Sequence, residues 1–143
     1  MNNRQRGNAY EREVEKILQE QGYTTHRAYA ATITTAGRPF SRSNDIFTVA
    51  DIIAKSKDKA TKWIQVTTGP RRAEKQRKLQ QCGDIWNDRD SLELWLRYEG
   101  GLFKIYQYQA GEFIETGEYK RGKFYDIRGG GDARLMHSNE PAR

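Results

Sequence analysis

A chain of 143 residues, 36% hydrophobic and 31% charged, supports one domain whose core leans on three Trp, eight Tyr and five Phe. Its net charge of +6 favours an acidic partner such as nucleic acid or an anionic membrane, with an inert basic surface as the alternative. Cys82 stands alone, which excludes a disulfide framework within the chain and a Cys-rich zinc site; His26 and His137 lie far apart, which disfavours a His-based metal cluster; and no apolar run approaches the roughly 20 residues that span a bilayer.

Met1–Gly7 reads as a basic arm carrying Arg4 and Arg6. Asn8 is a good N-cap, and Glu11 three residues on completes an N-x-x-E capping box. Tyr10, Val14, Ile17 and Leu18 then keep helical spacing as far as Gly22, a natural C-terminal stop. At ~100° per residue Glu11 falls ~20° from Leu18, on the rim of the buried face. Glu15 and Glu20 point more towards water, and Glu13 on the opposite rim suits a surface or salt-bridge role.

Tyr23–Tyr29 reads as a strand, and Ala30–Ser43, with Arg38 and Arg42, as a functional loop. The next stretch organises the chain. Asp51–Ala54 and Lys62–Thr68 are apolar and β-branched, and Lys55–Thr61 joins them as a charged loop, which predicts an antiparallel hairpin. On it Trp63, Gln65 and Thr67 share one face, and Ile64, Val66 and Thr68 the other. Asp51 precedes Ile52-Ile53-Ala54 directly, an acid at the mouth of an apolar strand.

Arg71–Gln81 follows Gly69-Pro70 as a second helix, made strongly basic by Arg71, Arg72, Lys75, Arg77 and Lys78. It is either a solvated surface or a nucleic-acid contact. Leu92–Tyr98 and Leu102–Tyr108 alternate as strands around Gly100-Gly101, and Phe113–Lys120 and Lys123–Asp126 add edge strands. Their aromatic residues read as core and cross-strand packing. Residues 1–128 therefore form the domain and 129–143 a disordered tail.

Set in this order, the elements bring oxygen ligands from three places: Glu11, Asp51 and Gln65. The backbone carbonyl of Val66 is a further donor. Hard oxygens of this kind suit Mg2+, which activates water and stabilises charge on a phosphate. Each residue also has a plainer reading: Glu11 as a helix cap, Asp51 as a turn residue at strand entry, Gln65 and Thr67 as ordinary strand residues. Asp45 competes with Asp51 for the ion.

The residues R-G-N-A-Y-E-R-E at Arg6–Glu13, the Gly22-Tyr23 exit, Ala50-Asp51-Ile52-Ile53-Ala54 and Ile64-Gln65-Val66-Thr67 together resemble the PD-(D/E)XK nuclease superfamily. Within it the likeness is to archaeal-type Holliday-junction resolvases, in the Q-V-T-T/S version carried by phage and bacterial members. It covers roughly residues 4–80. The resemblance implies an α/β fold of the restriction-endonuclease type, a mixed central sheet flanked by helices. It also implies a Mg2+ ion, with Mn2+ as a substitute, held by Glu11, Asp51 and Gln65. Thr67 stands where the family has a lysine, and a threonine supplies no positive charge. That charge would come from Arg27, Arg38, Arg42, Lys75 or Lys78. The expected activity is hydrolysis of phosphodiesters in branched DNA by a homodimer. DNA would be gripped by the Arg4/Arg6 arm, Arg27, the Arg38/Arg42 loop and the Arg71, Arg72, Lys75, Lys78 helix. The expected location is the cytoplasm, the host's if a phage encodes the chain. The alternatives are a restriction or repair nuclease acting on duplex or flap DNA, and a DNA-binding protein without catalysis.

Overall fold

Helix α1 runs from Asn3 to Glu20 in the computed structural model, which describes residues 3–28, 31–35, 38–42, 50–80, 86–127 and 133–136. The helix starts before Asn8, so residues 3–7 of the stretch read as an arm, with Arg4 and Arg6, are its first part. Arg and Gln favour helix, and one internal glycine, Gly7, costs only about 1 kcal/mol. The stop is as expected. Gly22 takes φ +92°, and the N–H groups of Tyr23 and Gly22 donate to the carbonyls of Leu18 and Gln19, both at 3.0 Å. This left-handed closure is one that glycine adopts without steric penalty.

Among the described residues ten strands follow: β1 (Thr24–Arg27), β2 (Ala31–Thr35), β3 (Arg38–Arg42), β4 (Ile52–Ser56), β5 (Lys59–Thr67), β6 (Asp90–Tyr98), β7 (Leu102–Gln109), β8 (Glu112–Lys120), β9 (Lys123–Ile127) and β10 (Ala133–Met136). Helix α2 (Arg72–Gln80) lies between β5 and β6. Eight strands form one mixed sheet in the order β1-β4-β5-β6-β7-β8-β9-β10, and β2 and β3 pair separately. Every neighbour is antiparallel except β5 and β6, whose parallel pairing uses α2 as its crossover.

Four expectations change. The segment read as the loop 30–43 contains the β2–β3 ribbon, where Pro39 faces Thr34; a two-stranded ribbon tolerates proline's missing donor. The central hairpin is antiparallel as expected, with Ile52 opposite Ile64, but its strands run through most of the Lys55–Thr61 loop, until Ser56 faces Lys59. Cross-strand pairing outweighs the low strand preference of lysine and alanine there. The strands read as edges, β8 and β9, are interior, and β10, within the stretch read as a tail, closes the sheet against β9.

The alternation along β5 and β6 divides the core. Ile52, Ala54, Ile64, Val66, Trp95 and Phe103 pack on Val14, Ile17 and Leu18 of α1. Leu92, Leu94, Leu96 and Tyr106 pack on Leu79 of α2, with Trp63 and Trp86 beside them. The helices thus cover opposite faces of the sheet, as period-2 side chains require. The aromatic residues of the later strands fill the core as expected: Trp95 meets Phe103 and Phe124 edge-on, with ring centroids 5.7 and 6.2 Å apart. Among the described residues no helix is long and apolar enough to cross a membrane.

Candidate active site

Asp51 is held by its neighbours on both sides. Its N–H donates to the Ile64 carbonyl at 2.8 Å, and its own carbonyl accepts the Ala28 N–H at 2.8 Å. Its carboxylate Oδ2 accepts the N–H of Val66 at 3.0 Å. The side chain is therefore fixed where β4 begins, 7% exposed, and turned towards β5. Burying a carboxylate is costly unless its oxygens are bonded, and the Val66 amide does this while orienting the group.

Glu11 reaches the same place from α1. Because the helix begins at Asn3, Glu11 is not a capping-box residue, and its role as a cap falls away. It is half-buried and shares with Asp51 a pocket of about 420 Å³, whose wall also includes Tyr10, Val66, Thr67 and Thr68. Among the described residues three cations line it: Arg6 from α1, Arg71 from the segment entering α2, and Lys75 from the helix itself. Of the expected oxygen ligands, then, Glu11, Asp51 and Val66 meet at one pocket, with Thr67 beside them. Gln65 is wholly buried and lies off the pocket wall. Asp45 lies outside the described residues.

Of the remaining expected DNA contacts whose side chains are described, Arg27, Arg72 and Lys78 lie off the pocket wall. Arg27 donates to the Asn8 carbonyl at 3.2 Å and faces Glu15 at 3.6 Å, so it ties β1 to α1. Glu15, read as solvent-facing, is half-buried and also accepts the Thr25 hydroxyl at 2.8 Å. Glu13 is the salt-bridge partner expected, with Arg97 at 3.5 Å. Arg72 stacks on the Tyr106 ring at 4.1 Å, on the α2 face of the sheet. Arg71 grips Glu74 through two bonds of 3.1 and 3.2 Å. The Glu74 hydrogen bond first, then the charges of Glu74 and Asp51, keep the Arg71 guanidinium more firmly protonated than usual. Arg4 lies in α1, Arg38 and Arg42 lie in β3, and Lys78 lies off the pocket wall.

Glu11 and Asp51, with the Val66 carbonyl and water, would make an all-oxygen donor set of the kind Mg2+ takes, one or two carboxylates with several waters kept. Among the described residues no three His, Cys, Asp or Glu side chains group closely enough to hold an ion by themselves.

A second polar cluster escaped the sequence reading. On the α1 face Glu93, 4% exposed, accepts the Ser91 hydroxyl at 2.8 Å and the Trp95 indole N–H at 3.0 Å, and pairs with Lys62 at 2.9 Å. Gln107 donates to Ser91 at 2.8 Å. The cluster closes on itself and joins β5, β6 and β7. Its only signal in the chain is the period-2 spacing Ser91-x-Glu93-x-Trp95, which acquires meaning once β5 and β6 are known to pair.

The fold and this site define a mixed α/β domain in which Glu11 and Asp51, from separate elements, line one pocket together with Arg6, Arg71 and Lys75. No protein-family model matches this chain, and no curated protein or solved structure matches it either.

Proposed function

We propose that the protein is a metal-dependent endonuclease of the restriction-endonuclease-like fold, acting as a homodimer on branched DNA, with four-way junctions as its substrate. The observation that carries this reading is the meeting of Glu11 and Asp51, from α1 and the start of β4, in a pocket that takes in Val66 and Thr67 and is rimmed by Arg6, Arg71 and Lys75. Acids that hold a hard cation beside bases that hold an anion are what phosphodiester hydrolysis requires.

Glu11, Asp51 and the Val66 carbonyl would hold Mg2+ or Mn2+, and the ion supplies Lewis-acid stabilisation and an activated water. The Val66 amide keeps the Asp51 carboxylate aimed. The Thr67 hydroxyl is a hydrogen-bond partner for water at the pocket wall. Gln65, wholly buried and on the same face of β5 as Thr67, lies off the pocket wall. Affinity for DNA rests on backbone charge, and it falls steeply with salt.

One observation favours a second reading, a DNA-binding protein without catalysis: the family's lysine is Thr67 here. Cleavage of a labelled four-way junction beside a matched linear duplex, with Mg2+ and Mn2+, separates the two. Paired symmetric cuts in the junction, lost in Asp51→Asn, support the resolvase. Equal cutting of both substrates moves the substrate to duplex or flap DNA, and tight binding without cuts leaves the binder.

A further inference from the structure

We infer that Lys75 of α2 supplies the positive charge that Thr67 lacks, as the catalytic cation on the scissile phosphate; the inference rests on the nuclease reading above. Hydrolysis places extra negative charge on the non-bridging phosphate oxygens, and a cation aimed at them from a fixed element lowers the barrier. In this chain β5 cannot deliver it, because Thr67 is neutral.

Among the described residues three cations line the pocket, and they are not equivalent. Arg71 is committed: both of its bonded nitrogens are on Glu74, and its side chain is 57% exposed. Arg6 is exposed on the first turns of α1, where solvent screens its charge. Lys75 is half-buried and, among the described residues, makes no hydrogen bond or ion pair. Arg71 ends the short 3-10 turn that enters α2, and Lys75, four residues on in the helix, lines the same pocket. Lys78 lies ~4.5 Å further along the helix axis and is off the pocket wall.

The reaction balances without a proton on Lys75 being spent. Water adds its oxygen to phosphorus and releases a proton to solvent. The P–O3′ bond breaks, and its electron pair leaves on O3′, which takes up a proton. The ammonium stays charged and donates to a non-bridging oxygen throughout.

The test is single-turnover cleavage of a junction by the full chain, with Kd for the same junction measured in EDTA. Lys75→Ala is expected to slow the cleavage step about 100-fold or more while changing the metal-free Kd less than about threefold. Lys120→Ala, a control on the exposed end of β8 and off the pocket wall, is expected to leave the cleavage step intact. Thr67→Lys combined with Lys75→Ala restores at least tenfold, since it returns the ammonium to the pocket wall from β5. Circular dichroism melts of each variant identify a fold defect, and Lys75→Gln serves as the milder variant if Lys75→Ala melts early. Cleavage by Lys75→Ala as fast as by Lys120→Ala overturns the inference and leaves the nuclease reading standing, as does a loss confined to Arg6→Ala. A wild type that cuts nothing with either metal overturns both.

Discussion

Replacing Glu93 by alanine removes the acceptor at the centre of the second polar cluster. The Lys62 ammonium, 2.9 Å away, would lose its counter-charge, and the Trp95 indole N–H its acceptor, while Ser91 keeps its bond from Gln107. Breaking one side of a buried pair costs about 3–5 kcal/mol. Lys62 is 23% exposed, so water recovers part of its charge and the lower half of that range applies. Adding an unsatisfied indole donor, about 1–3 kcal/mol and not additive with the first, gives an expected loss of about 4 kcal/mol. Against a typical total of about 5–15 kcal/mol this is large, and in a domain of this size it lowers Tm by about 8–16 °C. Urea denaturation followed by tryptophan fluorescence measures it. The double variant Glu93→Leu/Lys62→Met removes both charges and is expected to regain about 2 kcal/mol or more over the single. A Glu93→Ala loss below about 1 kcal/mol, or a double variant no better than the sum of the singles, would refute the reasoning.

The remaining expectations concern the acid, the alkaline limb and one glycine. Asp51→Asn retains an oxygen for the Val66 N–H, so stability in a thermal melt changes by less than about 1 kcal/mol while cleavage falls at least about 100-fold; Asp51→Ala adds about 1–3 kcal/mol of instability by leaving that amide bare. Burial raises the Tyr23 hydroxyl above its usual range, with Lys62 opposing. Burial alone would lower Lys62, but the Glu93 charge and hydrogen bond outweigh it and hold it raised. Both groups therefore contribute fully below about pH 10, and their stabilisation is lost as pH rises through the folded values, so Tm should fall on the alkaline side and fall less in Lys62→Met. A Tm that climbs above pH 10 would contradict this. A Cβ at Gly117 would meet the Tyr125 carbonyl at 3.0 Å, so Gly117→Ala should cost about 1–3 kcal/mol by forcing β8 from β9; an unchanged urea midpoint would argue against that close approach.

What the chain determined by itself is what depends on nearest neighbours. Gly22 ends α1 where a left-handed residue is needed, and the alternation from Trp63 to Thr67 assigns each side chain of β5 to its face. Asp51 stood out as an acid before an apolar strand, and the hairpin that carries it followed from two β-branched runs. Local signals failed where a competing local rule was outweighed. Asn8 made a good cap, yet the residues before it continue the helix, and this removed the plain explanation of Glu11. Only tertiary structure decided the rest, because it depends on residues distant in sequence. The parallel pairing of β5 with β6 sets Lys62 against Glu93, and the packing of α1 and α2 against opposite faces sets which of many basic side chains reach the pocket. Charge along a helix is visible in a sequence, but the direction in which a charge points is fixed only when the apolar side chains on that helix's other face are buried.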